Sequence, residues 1–359
     1  MRITDVRFRV YDLGADPHPH RNAILVSSRR DIVFAEVRTD EGLLGRAFAT
    51  KRALGFAEPL AARLAGQDPL DAARLWHRMF TGWRKPVVKG DAISAIGALD
   101  NALWDLRGKI TGLPVYRLLG GFRSRVPVYA AGGYYADGKD AAGLAAELEG
   151  FVAAGYRAVK MKVGGATLRE DLDRVRAARD AIGPDISLMV DANNGWNVTE
   201  ALAFGRAASK YDLTWLEEPV WADDLRGSAE LRAKLEIPIA SGENEYTRWG
   251  ARDLLEARGV DILQADPHTA GGLTEWVRIA ALASAQHVPV APHGDDYIGA
   301  HAVAAVDNGL TVESYAELRS WQHDFIERFQ LKDGELVLPD RPGLGLVVDE
   351  PALARAAIN

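Results

Sequence analysis

Three acidic residues stand at equal spacing in the middle of the chain and could together bind a metal ion. Asp191, Glu217 and Glu243 lie 26 residues apart, since 217 − 191 and 243 − 217 both equal 26, and each ends a short apolar run. This pattern predicts three strand ends that each present a carboxylate. Three carboxylates at one end of a sheet cannot all stay ionised unless a cation lies between them, and oxygen ligands favour Mg²⁺. The spacing therefore predicts a magnesium site.

The residues beside two of these carboxylates leave choices open. Glu217 and Glu218 are adjacent, so their side chains point to opposite faces of a strand and only one can join the cluster. The equal spacing favours Glu217, although a shift of one residue in register would reverse the choice. Asn193 follows Asp191 by two residues and is expected on the same side, where it either binds a ligand oxygen or serves only the turn that Asn-Asn-Gly predicts.

Two lysines alternate in the apolar segment AVKMKV. Lys160 and Lys162 share one face of this predicted strand, which we expect to line a barrel interior, while Met161 packs outward. Two ammonium groups so close together are expected to lower each other's pKa, and burial is expected to lower it further. A lysine that is neutral near pH 7 can act as a base. The alternative is a pair of solvated surface lysines, which so apolar a strand disfavours.

Two neighbouring strand ends carry a carboxylate and an imidazole. Asp266 and His293 end consecutive predicted strands. A carboxylate that binds a histidine fixes its tautomer and stabilises its protonated form, so the pair is a candidate general base or general acid. A lone histidine in this place is more often structural, and His268 is a weaker candidate for the same role. Glu313 ends the last predicted strand and could bind a substrate carboxylate if protonated, or pair with a lysine.

The elements that must position these residues follow a β/α rhythm from about residue 126. Short apolar runs recur roughly every 25 residues, and helical patterns fill most of the gaps between them. One helix start is marked by a capping box of Thr167 and Glu170. The rhythm predicts a (β/α)₈-type barrel, in which strand C-termini converge on one face. The predicted strands cover residues 126–131, 158–163, 186–191, 214–217, 237–241, 261–264, 288–292 and 310–313.

The first third of the chain has a different pattern and predicts a separate α+β domain. An antiparallel meander is followed by helices, and the region at roughly 12–31, between the first two strands, is predicted to be a loop. After residue 320 the rhythm is lost, and residues 335–347 predict strands and turns that could return to the first domain. The predicted strands of the meander cover residues 3–11, 32–39 and 44–49, and the helices cover 56–65, 70–81 and 91–109.

Composition excludes several classes of protein. With 359 residues and 48% hydrophobic content, the chain can bury a sizeable core, and a net charge of −7 argues against a nucleic-acid surface. The absence of cysteine excludes disulfides, thiolate catalysis and zinc–thiolate sites. No segment has the ~18–20 consecutive apolar residues that span a membrane. The N-terminal segment alternates apolar and charged residues and predicts a strand, not a signal peptide, so we expect a cytoplasmic protein.

The segments KMK, VDANNGW, WLEEP, SGE, DPHTAGG and PHG, in this order and spacing, resemble the mandelate racemase-like subgroup of the enolase superfamily. The resemblance covers the whole chain. It implies an α/β barrel, a modified (β/α)₇β TIM-like barrel over residues 125–320, with an N-terminal α+β capping domain over 1–124 and a C-terminal segment, 321–359, that returns to the cap. It also implies a homo-oligomer, either a dimer or an octamer.

The resemblance further implies roles for the strand-end residues. Mg²⁺ would be bound by Asp191, Glu217 and Glu243. Lys162 would be one acid/base catalyst with Lys160 tuning it, and His293 with Asp266 would be the catalyst on the opposite face. Glu313 would contact the substrate carboxylate or its enediolate. Because Asp266 stands where other branches place a lysine, the muconate-lactonising and dipeptide-epimerising activities become weaker alternatives.

These roles favour an acid-sugar dehydratase. Removing the weakly acidic proton α to a carboxylate requires a cation on the carboxylate oxygens, and loss of the β-hydroxyl would then give a 2-keto-3-deoxy acid sugar. Basic residues of the cap, Arg21 and Lys51 among them, suit a small hydroxylated mono- or dicarboxylate. The first alternative is a racemase or epimerase of a 2-hydroxy acid. The second is a non-catalytic Mg²⁺-binding scaffold, which is disfavoured because every expected ligand and base is present.

Overall fold

The computed structural model of the protein describes residues 1–358 and shows a cap followed by a barrel. Three antiparallel strands in the order β1-β2-β3 form the cap sheet, and the helices of the cap pack against it. The predicted meander and its helices are therefore confirmed. The strands are β1 (Ile3–Arg21), β2 (Val26–Thr39) and β3 (Leu44–Phe48), and the helices are α1 (Ala57–Leu64), α2 (Ala72–Phe80), α3 (Asp91–Thr111) and α4 (Val115–Leu119).

The predicted loop at residues 12–31 is wrong, because β1 and β2 continue through it as a two-stranded ribbon. The pairing shifts register between Asp12 and Ala15 and again between Ala15 and His20, so the irregular segment with its glycine and prolines is absorbed by bulges. The tip docks on the barrel, where Arg21 and Tyr135 exchange backbone hydrogen bonds of 2.8 and 2.9 Å. The ribbon therefore reaches the end of the first barrel strand.

The barrel is a ring of parallel strands surrounded by helices, as predicted. It closes where β10 pairs with β4, and the predicted strand at 288–292 is reduced to bridges that Val290 makes with Leu263 and Gly309. The strands are β4 (Arg125–Ala131), β5 (Ala158–Lys162), β6 (Ser187–Asp191), β7 (Leu213–Glu217), β8 (Ile239–Ser241), β9 (Ile262–Leu263) and β10 (Val312–Ser314). The helices are α5 (Ala141–Ala153), α6 (Leu168–Ile182), α7 (Val198–Ala208), α8 (Leu225–Lys234), α9 (Thr247–Glu256), α10 (Leu273–Ser284) and α11 (Asp296–Ala305).

Alternation along the strands separates two apolar layers. Val159 and Met161 of β5 face outward and are fully buried under the helices, whereas Tyr129, Met189 and Trp215 belong to a smaller cluster inside the ring. The interior of the ring is thus packed, and only its C-terminal mouth is left for polar chemistry. Within residues 1–358, no helix is long and apolar enough to cross a membrane.

The C-terminal segment contacts both the barrel and the cap. Two short strands form a hairpin whose second strand pairs antiparallel with β4, and the chain then reaches the cap, where Glu350 forms an ion pair of 2.6 Å with Arg46. The elements of this segment are β11 (Gln330–Lys332), β12 (Glu335–Val337) and α12 (Glu350–Ala356).

Helix α3 joins the cap to the start of α10 and to the loop between β9 and α10. Asp100 accepts hydrogen bonds of 2.8 and 2.7 Å from the backbone nitrogen and hydroxyl of Thr274, and Asn101 accepts one of 2.9 Å from the nitrogen of Leu273. The approach requires glycine at position 97, where a Cβ atom would lie 2.2 Å from the carbonyl oxygen of His268. The cap therefore rests directly on a loop of the barrel mouth.

Candidate active site

The C-terminal ends of strands β5, β6 and β7 are aligned, and this alignment brings their ionisable side chains together. Lys162 of β5 pairs in register with Asp191 of β6, and Asp191 pairs with Glu217 of β7. Parallel strands in this register direct equivalent side chains to the same face, here the barrel mouth. Residues that are far apart in the sequence therefore meet at one end of the barrel.

The three evenly spaced carboxylates form one cluster. A carboxylate oxygen from each of Asp191, Glu217 and Glu243 lies within 4.8 Å of the others, so the group could hold a metal ion. Asp191 and Glu217 are fully buried, and the Oε2 atom of Glu243 is buried without a hydrogen-bond partner among residues 1–358. Buried oxygens of this kind are suitable ligands for a hard divalent cation. The residues present therefore fit a metal site.

Glu217 shows the electrostatic cost of this arrangement. Burial raises the pKa of Glu217 to about 7, and the neighbouring carboxylates add to that rise. Its Oε2 atom accepts hydrogen bonds from Trp215 Nε1 at 2.9 Å and from Gln264 Nε2 at 2.7 Å. These two donors hold the carboxylate in one orientation. A cation among the three carboxylates would oppose the rise in pKa, because it adds positive charge to the cluster.

The structure places Glu217, not Glu218, in this cluster. Glu218 adopts a φ of 42° and turns away, where Asn194 and Asn244 donate hydrogen bonds of 2.8 and 2.7 Å to its carboxylate. Glu218 thus connects the loop after β6 with the loop after β8. The first of these loops directly follows Asp191, and the second contains Glu243.

The two lysines both point into the barrel, but their pKa values are not lowered as predicted. Lys160 Nζ lies 2.5 Å from Glu217 Oε1 and 2.6 Å from Glu313 Oε1, and Lys162 Nζ lies 2.5 Å from Asp191 Oδ2. Burial acts to lower the pKa of Lys162, but the charge of Asp191 outweighs it and raises that pKa above its ordinary value. The prediction was wrong because it counted the second lysine and omitted carboxylates from the neighbouring strands.

His293 and Asp266 form the predicted pair. The Nδ1–H of His293 donates a hydrogen bond of 2.8 Å to Asp266 Oδ2, so Nε2 is the nitrogen turned toward the cluster, 3.6 Å from Glu243. Burial acts against a charged imidazole, but Glu243 and Glu313 raise the pKa of His293 well above its ordinary value. His268 makes a different contact, 2.5 Å from Asp295. His293 is therefore the histidine that faces the acidic cluster.

Glu313 and Asn193 lie on the rim of this cluster. Of the two alternatives for Glu313, the structure shows the pairing with a lysine, and Lys160 lowers the pKa of Glu313 against the effect of burial. This arrangement favours an ionised Glu313 paired with Lys160. Asn193 adopts a φ of 43°, and its Oδ1 atom is buried without a hydrogen-bond partner in the part of the chain described. The oxygen of Asn193 is therefore available to a ligand.

The two cap residues expected to bind substrate make other contacts. Lys51 Nζ lies 3.0 Å from Asp31 and 3.3 Å from Asp12, both on the cap ribbon. Arg21 donates a hydrogen bond of 3.1 Å to the carbonyl oxygen of Gly165, and its guanidinium lies 4.7 Å from the centre of the Tyr135 ring. The contacts of Arg21 join the cap to the barrel, whereas those of Lys51 lie within the cap. Among residues 1–358, neither side chain forms a hydrogen bond or an ion pair with Asp191, Glu217 or Glu243.

Sequence reasoning missed the aromatic side chains of the mouth. Tyr315 Oη lies 3.4 Å from His293 Nε2, and the Tyr134 ring centre lies 4.9 Å from Lys162 Nζ. His20 of the cap ribbon packs on Tyr134 with 4.7 Å between ring centres. Tyr315 follows Glu313 by two residues, and that spacing was the signal that could have identified it.

Comparison with known proteins agrees with this geometry. Residues 143–352 match the enolase C-terminal domain-like family, and residues 6–120 match the N-terminal domain of mandelate racemase and muconate lactonizing enzyme. The chain belongs to the mandelate racemase/muconate lactonizing enzyme family of the enolase superfamily. This enolase superfamily member has the capped barrel of that family, and the predicted resemblance is confirmed.

Named relatives of this enolase superfamily member act on acid sugars. It is 35% identical over 331 residues to an arabinonate dehydratase of Saccharolobus solfataricus, and the matched residues cover 89% of this chain and 88% of the relative. It is 34% identical over 377 residues to a D-galactarolactone cycloisomerase of Agrobacterium fabrum, and the matched residues cover 98% of this chain and 98% of that relative. A racemase from Streptomyces coelicolor, solved with bound magnesium, superposes with a TM-score of 0.90 at 32% identity, over 99% of this chain and 100% of that one.

Proposed function

We propose that this protein is a Mg²⁺-dependent acid-sugar dehydratase. It would remove the proton α to a carboxylate and eliminate the β-hydroxyl, which gives a 2-keto-3-deoxy acid sugar. The observation that carries the proposal is the position of two proton-transfer groups beside one acidic cluster. Lys162 contacts Asp191 at 2.5 Å, and Nε2 of His293 lies 3.6 Å from Glu243. A substrate carboxylate bound at a metal ion in this cluster would present its α-carbon to both groups.

Asp191, Glu217 and Glu243 would hold the metal ion. When bound there, Mg²⁺ would supply the positive charge that stabilises the negative charge developing on the substrate carboxylate as the α-proton leaves. The magnesium-bound structure of the Streptomyces racemase supports this choice of metal. A positive charge in the cluster would act to lower the pKa of Lys162 and so oppose the effect of Asp191 on the candidate base.

The remaining steps belong to side chains of this protein. Lys162 in its neutral form would take the proton from C2, and the protonated Nε2 of His293 would give a proton to the departing hydroxyl. Asp266 fixes the ring of His293 so that this nitrogen faces the substrate. Lys160 sits between Glu217 and Glu313 and fixes both carboxylates through contacts of 2.5 and 2.6 Å. The buried oxygen of Asn193 would accept a hydrogen bond from a substrate hydroxyl.

The names of the relatives support the substrate class. The arabinonate dehydratase and the D-galactarolactone cycloisomerase both act on small acid-sugar compounds. Racemisation or epimerisation of a 2-hydroxy acid would use the same proton removal without the elimination, so it is the alternative outcome that the experiment must separate.

The test combines two measurements on the Mg²⁺-loaded protein. A library of mono- and dicarboxylic acid sugars is assayed for 2-keto acids, and in parallel the α-proton of each compound is followed by NMR in D₂O. Keto-acid formation supports the dehydratase. Epimer formation with α-proton exchange and no keto acid would replace it with the racemase or epimerase. Silence across the library with Mg²⁺ bound would favour the non-catalytic scaffold.

A further inference from the structure

A tyrosine lies beside each of the two proton-transfer groups, and the two tyrosines differ in the part of the side chain that faces the group. Tyr134 turns its ring face to Lys162, whose Nζ lies 4.9 Å from the ring centre. Tyr315 instead turns its hydroxyl to His293, with 3.4 Å between Oη and Nε2. A ring face can only attract the ammonium group, whereas a hydroxyl can donate a hydrogen bond to a substrate atom. The two sides of the site are therefore not equivalent.

The distance of 3.4 Å is compatible with a third atom that contacts both groups. It exceeds the roughly 2.7–3.0 Å of a strong hydrogen bond to a hydroxyl, so Tyr315 and His293 do not saturate each other. A substrate oxygen can lie at a hydrogen-bond distance of about 2.8 Å from both Tyr315 Oη and His293 Nε2 at once. Nδ1 of His293 is already bound to Asp266, so Nε2 is the nitrogen that this oxygen would meet.

The Tyr315 side chain is held in place and keeps its proton. It is buried, its ring packs edge-on to His293 with 6.4 Å between ring centres, and the guanidinium of Arg319 lies 4.6 Å above it. Burial, and then the charge of Glu313, raise the pKa of Tyr315 well above its ordinary value. The hydroxyl is thus a fixed donor that needs no rearrangement when a substrate enters.

We propose that Tyr315 is a further catalytic residue, whose hydroxyl donates a hydrogen bond to the C3 hydroxyl of the substrate and presents it to Nε2 of His293 as the leaving group. The inference rests on the proposed dehydratase function and deepens it, because it assigns a residue to the choice between elimination and return of the proton to C2. Tyr315 acts only on the leaving oxygen, so removal of the proton from C2 does not depend on it.

The step balances with the groups already described. Lys162 takes the C2 proton, and the electron pair of the broken C–H bond is delocalised onto the substrate carboxylate. The pair then returns to form the C2=C3 double bond as the C3–O bond breaks. The oxygen leaves as water with the proton from Nε2 of His293, while Tyr315 donates a hydrogen bond and keeps its own proton. The resulting enol loses its hydroxyl proton and gains one at C3 to give the 2-keto acid.

The experiment compares Tyr315→Phe with Tyr134→Phe, which removes the hydroxyl of the tyrosine whose ring lies beside Lys162. Each Mg²⁺-loaded variant is incubated in D₂O with the acid sugar that the wild-type protein converts. Keto acid and deuterium at C2 of the recovered substrate are both quantified. We expect Tyr315→Phe to lower the rate of elimination by at least about tenfold, the size expected for one hydrogen bond to the reacting oxygen, and to leave C2 exchange within about threefold. Tyr134→Phe should leave the ratio of elimination to exchange unchanged.

Other results would overturn the assignment. If Tyr315→Phe keeps the wild-type ratio, or loses exchange and elimination equally while Mg²⁺ binding by calorimetry is intact, Tyr315 does not act on the leaving group. Loss of Mg²⁺ binding in this variant would equally show that Tyr315 serves the structure of the site instead of the reaction. A wild-type protein that forms no keto acid from any acid sugar would overturn the proposed function itself, and the role of Tyr315 with it.

Discussion

Nδ1 of His293 lies 2.8 Å from Oδ2 of Asp266, and this contact decides which nitrogen of the ring faces the acidic cluster. Asp266 follows β9 and His293 follows the bridge at Val290, so the two residues come from consecutive β/α units of the barrel. The pair includes none of the three carboxylates of the acidic cluster. Its contribution to catalysis can therefore be separated from metal binding.

Replacing His293 with Asn is expected to abolish turnover and leave metal affinity nearly unchanged. The loss of a general acid costs roughly 10²–10⁴ in rate. Mg²⁺ affinity should persist, because the substitution leaves in place the three carboxylates that could hold the ion. Turnover is measured with the substrate found in the library assay, and the Kd for Mg²⁺ by calorimetry. The exposed His77 of α2 provides the control, as His77→Asn should change neither value. Weaker Mg²⁺ binding in His293→Asn would contradict the role given to His293.

Glu243→Gln is expected to weaken Mg²⁺ binding at least about tenfold, because Mg²⁺ favours charged oxygen ligands and the amide removes one charge. Glu245→Gln is the matched control. Glu245 lies two residues further along and is also buried, but it does not belong to the acidic cluster. Calorimetric titration with Mg²⁺ compares the two variants with the wild-type protein. Equal affinity in both variants would exclude Glu243 as a ligand.

Much of the geometry of the candidate site could be predicted because it depends on the regular β/α repeat of the barrel. The β/α repeat places strand C-termini on one face, so the spacing of Asp191, Glu217 and Glu243 was enough to predict a cluster that the structure brings within 4.8 Å. The pairing of Asp266 with His293 follows from the same argument. The predicted strand at 288–292 is longer than the observed pairing, because Val290 alone bridges the neighbouring strands at this point of the ring.

Features that do not follow the β/α repeat could not be predicted in this way. The region at 12–31 was predicted to be a loop between strands at 3–11 and 32–39, whereas β1 and β2 pair through it with bulges whose positions depend on the partner strand. The direction of the lysine pKa shifts depends on carboxylates contributed by three other strands. Tyr134 lies three residues beyond the end of β4, where alternation no longer indicates which way a side chain points.

Gly97→Ala is expected to destabilise the protein by about 2 kcal/mol, within the range for overpacked sites, although alanine is the better helix former. The new Cβ atom would lie 2.2 Å from the carbonyl oxygen of His268 and 2.9 Å from the nitrogen of Gly272, so α3 must move off the loop that carries Asp266. Gly150→Ala in α5 is the control. Its Cβ atom would meet nothing within 4 Å, and we expect a gain of about 0.5–1 kcal/mol. Urea denaturation measures both, and a stabilised Gly97→Ala would show that α3 is not held against this loop.

His301 is buried in the neutral form between the barrel and the cap. Its Nδ1 atom accepts a hydrogen bond of 3.1 Å from the backbone nitrogen of Tyr116, and its Nε2–H donates one of 3.1 Å to the carbonyl oxygen of Leu344. Burial lowers the pKa of His301 to about 4, from an ordinary value of 6.5. Protonation of Nδ1 would remove its acceptor and leave the nitrogen of Tyr116 without a partner.

This shift makes the free energy of unfolding depend on pH in a defined direction. Between pH 6.5 and about 4 the unfolded chain binds a proton at His301 that the folded chain does not, so stability is present above this window and is lost as the pH falls through it. The loss between pH 7 and pH 5 is about 2 kcal/mol for this residue. Urea denaturation at both values should show a smaller difference for His301→Asn than for the wild-type protein. The exposed His77→Asn should keep the wild-type difference, and an unchanged difference in His301→Asn would mean that this imidazole is not the group that titrates.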